Sequence, residues 1–354
     1  MNKFATFFKN IINWISGLFS VDSLKTTPQS KPVEKPQPAK DEVKTKPKVD
    51  TLPTDTSTST AIKIDPEYKN REGYNANFLG IKVPLPKLSK DIEPHVVFLT
   101  EGVHKNELKY HHFSVVMNGE RKMPFFTAVN IDGVSYEKLG DVPSRSAIGR
   151  DKWYFDPRIP KENQLGTSFY TKNDFDIGHQ VRREDALWGD NLETAIKANN
   201  DTFHLTNAAP QHKDLNRNAH RWLGLESYAL NNCRKYGLKI NVFTGPVFAE
   251  TDGVYNDIKI PDQFWKIIVM IKDDGTPSAT GYIVQQNDLI DDIVKRGFVY
   301  EQFETYQVPI SKIEDLTHVQ FGLNKYDPLQ KKQKHALAFE LEPQIIDSFD
   351  KIEF

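Results

Sequence analysis

Apolar residues are spread unevenly along the chain, and their spacing separates three regions. Over residues 1–20, Phe4, Phe7, Phe8, Ile11, Ile12, Trp14, Ile15, Leu18 and Phe19 alternate with Lys3, Thr6, Lys9, Asn10, Asn13 and Ser16. At about 100° per residue the apolar set falls in one arc about 160° wide, which predicts an amphipathic helix. Lys9, Asn10 and Asn13 interrupt the apolar run and no small-x-small cleavage site follows, so it is a poor signal peptide. It is too short and too polar to span a bilayer. Such a face suits a membrane surface or a protein partner, with a degenerate export signal as the remaining reading.

Residues 21–61 carry almost no large apolar side chains after Leu24 and are rich in Pro, Lys, Thr and Ser. A segment of this kind cannot bury enough surface to offset its chain entropy, which predicts a disordered linker. The hydrophobic pattern resumes at Ile62 and continues to Phe354. Runs at 112–117 (HFSVVM), 124–132 (PFFTAVNID), 239–245 (KINVFTG) and 264–271 (FWKIIVMI) have the β-branched and aromatic bias of strands. Trp222, Leu225, Tyr228, Ala229 and Leu230 are spaced as a helix within His220–Tyr236. Residues 62–354 therefore read as one α+β domain with a largely antiparallel sheet.

Charge and cysteine content narrow the picture only slightly. The formal net charge is −2, so any nucleic-acid site depends on local placement of Lys and Arg and not on an overall field. The single cysteine, Cys233, rules out an intrachain disulfide. A cytoplasmic or membrane-associated location fits that composition better than secretion. With no reactive motif around it, Cys233 reads as a buried helix residue.

The candidate chemistry lies in two stretches. In DFDIGHQVRREDALWGD (174–190), Gly178 directly before His179 suggests a tight backbone turn that presents the imidazole. Asp176, three residues earlier, is placed to bond backbone or to organise metal-bound water. Arg182 and Arg183 supply cations for a phosphate diester, and Arg158 in Asp156-Pro157-Arg158 is a further candidate. In the second stretch (203–230), Asn216 opens a helical segment that carries Glu226. A neutral amide oxygen is a weak ligand, which suits Mg²⁺ because that ion keeps several of its waters.

Together these motifs resemble the DNA/RNA non-specific endonuclease family. Asp176-Ile177-Gly178-His179 stands where the family has Asp-Arg-Gly-His. Asn207-Ala208-Ala209-Pro210-Gln211, Leu215-Asn216 and Trp222-Leu223-Gly224-Leu225-Glu226 follow its second signature. Val242-Phe243-Thr244-Gly245-Pro246-Val247 looks like the family's TGP strand, and the likeness runs from about Tyr74 to Phe321. The resemblance implies a ββα-metal (His-Me finger) core and Mg²⁺-dependent cleavage of DNA and RNA, with Mn²⁺ as a possible substitute. It also implies residue roles: His179 as general base, Asn216 as metal ligand, Glu226 holding a metal-bound water, and Asp176 behind the ligands. Two departures stand out. Ile177 replaces the motif arginine, which leaves Arg182, Arg183 or Arg158 to take its place and keeps open a catalytically impaired nucleic-acid-binding module. Asn216 and Glu226 are ten residues apart, about 15 Å along a regular helix, which is too far to share one ion. A loop or wide turn is therefore expected within 217–221, with Asn218, at the family's usual spacing from Glu226, as the rival ligand.

Overall fold

The computed structural model describes residues 61–101, 105–216, 222–286, 305–333, 344–345 and 352–353. The helix expected at 1–20, the linker up to residue 60, the turn expected at 217–221 and Asn218 lie outside them. Ala61, assigned above to the linker, is already bridged to Arg150, and Ile62 beside it is buried.

In chain order the strands used below are β1 (Glu107–Lys109), β2 (Phe113–Asn118), β3 (Met123–Asp132), β4 (Phe175–His179), β5 (Ala208–His212), β6 (Lys239–Val247), β7 (Gln263–Ile271), β8 (Pro277–Gln285), β9 (Thr305–Val308) and β10 (Gln344–Ile345). All but β4 and β5 join one antiparallel sheet of order β10-β9-β8-β7-β6-β3-β2-β1. The four strands expected from the apolar runs are β2, β3, β6 and β7, which confirms the α+β class with a large antiparallel sheet.

The central strands are buried on both faces, which is why FWKIIVMI reads as a continuous apolar run rather than an alternating one. Period-2 geometry sends Trp265, Ile267 and Val269 of β7 to one face, where they meet Tyr74, Phe243 and, from the helix Ile310–Thr317, Ile310 and Ile313. Phe264 and Val284 point to the other face and pack with Phe169, Phe175, Ala209 and Leu215. Those four residues lead into or belong to the β4/β5 hairpin and its following helix. This second cluster therefore fixes the candidate site against the sheet.

Three helices matter for the site: α1 (Leu192–Asp201), α2 (Lys213–Asn216) and α3 (Trp222–Lys235). α1 starts on Asn191, whose side chain accepts from the Thr194 amide as an N-cap. α3 carries Cys233, buried as expected, with its thiol donating to the Leu238 carbonyl and burial pushing its pKa up to about 12.

Candidate active site

β4 and β5 pair antiparallel, with Asp176 opposite Gln211, Gly178 opposite Ala209 and His179 opposite Ala208. Gly178 is therefore within a strand, not in the tight turn expected from the sequence. A Cβ at this position would lie 2.4 Å from the Gln211 side chain, which is fully buried. The glycine is needed for that close approach across the hairpin. His179 is the last residue of β4, and the chain beyond it is pinned by Asn207. The Asn207 side chain accepts from the Val181 amide at 2.9 Å and donates to the Val181 carbonyl at 2.9 Å. This accounts physically for the asparagine that opens Asn207–Gln211.

His179 and Asn216 line the same cavity of about 560 Å³, together with Asp176, Ile177, Arg182 and Arg183. Asn216 ends α2, which follows β5 directly, so hairpin and helix bring the two motifs together. The Asn216 amide donates from Nδ2 to Asp176 Oδ2 at 3.0 Å, leaving Oδ1 as the amide atom available to a cation. The imidazole of His179 is held between Trp153, centroid 4.4 Å away, and Phe203, centroid 4.9 Å away and edge-on. Its Nε2 is sealed from solvent without a hydrogen-bond partner. Burial, followed by the charges of Arg183, Arg145 and Arg182, pushes the imidazole pKa down to about 3, so the ring is neutral at physiological pH.

Both arginines of the first motif reach the cavity. Arg183 is nearly buried: Nε donates to Asn199 Oδ1 of α1 at 3.0 Å, Nη1 to Asp151 Oδ1 at 3.0 Å, and Nη2 is buried without a partner. Burial lowers its pKa. Arg182 has its Nη2 3.8 Å from Glu184 Oε2. Arg158 is not among the residues lining this cavity. Its guanidinium is held by Asp156 and the Lys109 carbonyl, between the rings of Tyr68 and Tyr110. Arg158 therefore stands apart from Arg182 and Arg183. Glu226 lies within α3, and its side chain is outside the described residues.

Sequence reasoning missed Arg145, Asp151, Trp153 and Phe203. The first three line the cavity from a segment upstream of the signature, and Phe203 supports His179 from behind. Arg145 and Asp151 stand in a short polar run, SRSAIGRDKW (144–153), with no spacing that separates site residues from ordinary surface charge. Trp153 could have been suspected, because an aromatic amid such a run needs something to cover.

The donors fit a hydrated divalent cation. Among the described residues no three His, Cys, Asp or Glu side chains converge as a metal cage. At Asn216 the cavity offers one amide oxygen backed by the Asp176 carboxylate, an oxygen set that leaves most of an ion's coordination to water and phosphate, as Mg²⁺ prefers.

Residues 96–327 match the DNA/RNA non-specific endonuclease family, and the chain belongs to that family. It is 38% identical over 269 residues to an uncharacterized protein, y4fB, of Sinorhizobium fredii, covering 72% of this chain and 39% of that one. It is 30% identical over 167 residues to human mitochondrial endonuclease G, covering 44% of this chain and 50% of that one. The chain thus spans half or less of the length of these relatives. A solved structure described as the EndoG/EndoGI complex superposes with a TM-score of 0.48 at 20% identity, over 63% of this chain and 87% of that chain.

Proposed function

We propose that this protein is a Mg²⁺-dependent endonuclease that hydrolyses phosphodiester bonds in both DNA and RNA. The observation that carries the reading is the convergence in one cavity of a neutral, wedged imidazole, an amide–carboxylate pair and a buried guanidinium nitrogen without a partner. His179 is the general base: it takes the proton from a water molecule attacking phosphorus. With Nε2 sealed, that proton goes to Nδ1. Trp153 and Phe203 fix the plane of the ring, so the base needs no reorientation during attack. Asn216, oriented by Asp176, holds the metal. A bound Mg²⁺ supplies polarisation of a phosphoryl oxygen and stabilises charge on the leaving oxygen. Arg183, with Arg182 beside it, stabilises the non-bridging oxygens as their charge increases. These groups address phosphate rather than base edges, so cleavage has little sequence preference.

The test is digestion of circular double-stranded DNA, single-stranded DNA and RNA by the full chain, with Mg²⁺ or with EDTA. All three substrates should be cut only with the metal, and Mn²⁺ should substitute for it. His179→Ala should lower the rate by about two to four orders of magnitude while the circular dichroism spectrum is unchanged. Undiminished cutting by the variant would reject the mechanism. Binding without cutting in any divalent metal would identify a nucleic-acid-binding module instead.

A further inference from the structure

Beside His179, one carboxylate is shared by two guanidinium groups. Asp151 accepts from Arg145 Nη2 through Oδ2 at 2.6 Å and from Arg183 Nη1 through Oδ1 at 3.0 Å. Each oxygen serves a different cation, which is how two non-bridging oxygens of a phosphate diester would be held. The three partners differ in exposure. The Arg183 side chain is 7% exposed, that of Asp151 42% and that of Arg145 65%. Arg183 is fixed by Asn199 and lies over the Phe203 ring, the same ring that supports His179. Its Nη2 is buried and has no hydrogen-bond partner, although Arg183 lines the cavity. A buried guanidinium with an unused donor is costly unless an anion answers it. Asp151 answers only part of it, and from a position open to solvent.

We propose that Arg145 and Arg183 form a phosphate subsite whose resident in the substrate-free protein is Asp151. A backbone phosphate of the nucleic acid displaces the Asp151 carboxylate into solvent and takes over both guanidinium groups, including the unused Nη2. Asp151 thereby sets substrate affinity: it keeps the buried cation neutralised when the site is empty and competes with the incoming anion. The subsite also accounts for Ile177, since Arg145 brings into the cavity a cation that position 177 lacks. This inference rests on the nuclease reading above for the identity of the anion, but not for the existence of the subsite.

The test is binding of a short fluorescent single-stranded oligodeoxynucleotide to the full chain in EDTA, read by anisotropy across a salt series. Asp151→Asn keeps the shape and removes the competing charge. It should tighten Kd by roughly three- to tenfold at low salt. The slope of log K against log salt should steepen by about 0.7 if one further phosphate is engaged. Adding Arg145→Ala to Asp151→Asn should abolish the gain. An unchanged or weaker Kd for D151N, or a gain that survives loss of Arg145, would overturn the proposal. If D151N folds poorly, D151S makes the same charge change. A second probe separates the subsite from the nuclease reading: inorganic phosphate should raise the Tm of D151N more than that of the unaltered chain. That result without binding or cutting of nucleic acid would keep the subsite and remove the nuclease. Equal binding and cutting by both proteins would do the reverse.

Discussion

At the scale of single residues, Gly178 and His179 illustrate how much a strand position can demand. The glycine gives its space to Gln211, whose side chain is fully buried. Gly178→Ala should therefore destabilise the fold by about 1–3 kcal/mol through overpacking, measured by urea unfolding. It should also depress activity by shifting the end of β4, and adding Gln211→Ala should recover part of the stability. The importance of the Gly–His pair was legible in the sequence; its reason was not. Periodicity reports which residues share a strand, whereas the need for glycine arises from a side chain on the opposite strand. What holds Arg158 was not legible either: Asp156, two residues earlier, binds its guanidinium.

At the scale of elements, the site is an antiparallel strand pair, β4 and β5, whose second strand runs straight into the short helix α2. Phe175 and Leu215 anchor it through the second core cluster, and Gln286, just past the end of β8, ties it to the sheet by accepting from the His212 amide at 2.9 Å. The Asp176–Asn216 hydrogen bond spans from β4 to α2 and turns the amide oxygen away from Asp176, where it would meet the proposed cation. Asp176→Ala should raise the Mg²⁺ concentration for half-maximal cleavage by about 10- to 100-fold, with a smaller effect on the rate at saturating metal. A metal titration of activity distinguishes this from a simple loss of catalysis. The hairpin strands themselves were not legible as strands. Ala208–His212 contains a proline and two alanines, and Phe175–His179 contains a glycine, so both lack the β-branched pattern that exposed the sheet. Their pairing is dictated by burial against the sheet, which a local window cannot see.

At the scale of the whole molecule, the sheet was legible because its central strands are apolar throughout, and the α+β reading followed. The histidines that the fold buries were not individually legible, but together they govern its response to acid. Burial pushes His112 down to about 4 and His179 to about 3, and it lowers His204 and His212 as well. In the unfolded chain these groups take up protons near pH 6.5. Above about pH 7 they are neutral in both states and contribute no pH dependence. As pH falls below about 6.5 the unfolded chain binds protons that the folded chain refuses, so stability declines. Tm should fall between about pH 7 and pH 5, and His112→Phe should make that fall shallower by removing one titrating group. The same variant should be less stable at neutral pH, because it loses the hydrogen bond to the Trp188 carbonyl. The Ile62 amide donates to the Arg150 carbonyl at 3.0 Å, the Tyr154 hydroxyl donates back to the Ile62 carbonyl at 2.6 Å, and the Tyr154 amide donates to the Phe203 carbonyl at 2.9 Å. Ile62, near the first of the described residues, is thus a splint for the stretch bearing Asp151 and Trp153. Cutting the polypeptide a few residues beyond Ile62 would remove that splint and loosen one wall of the cavity beside His179.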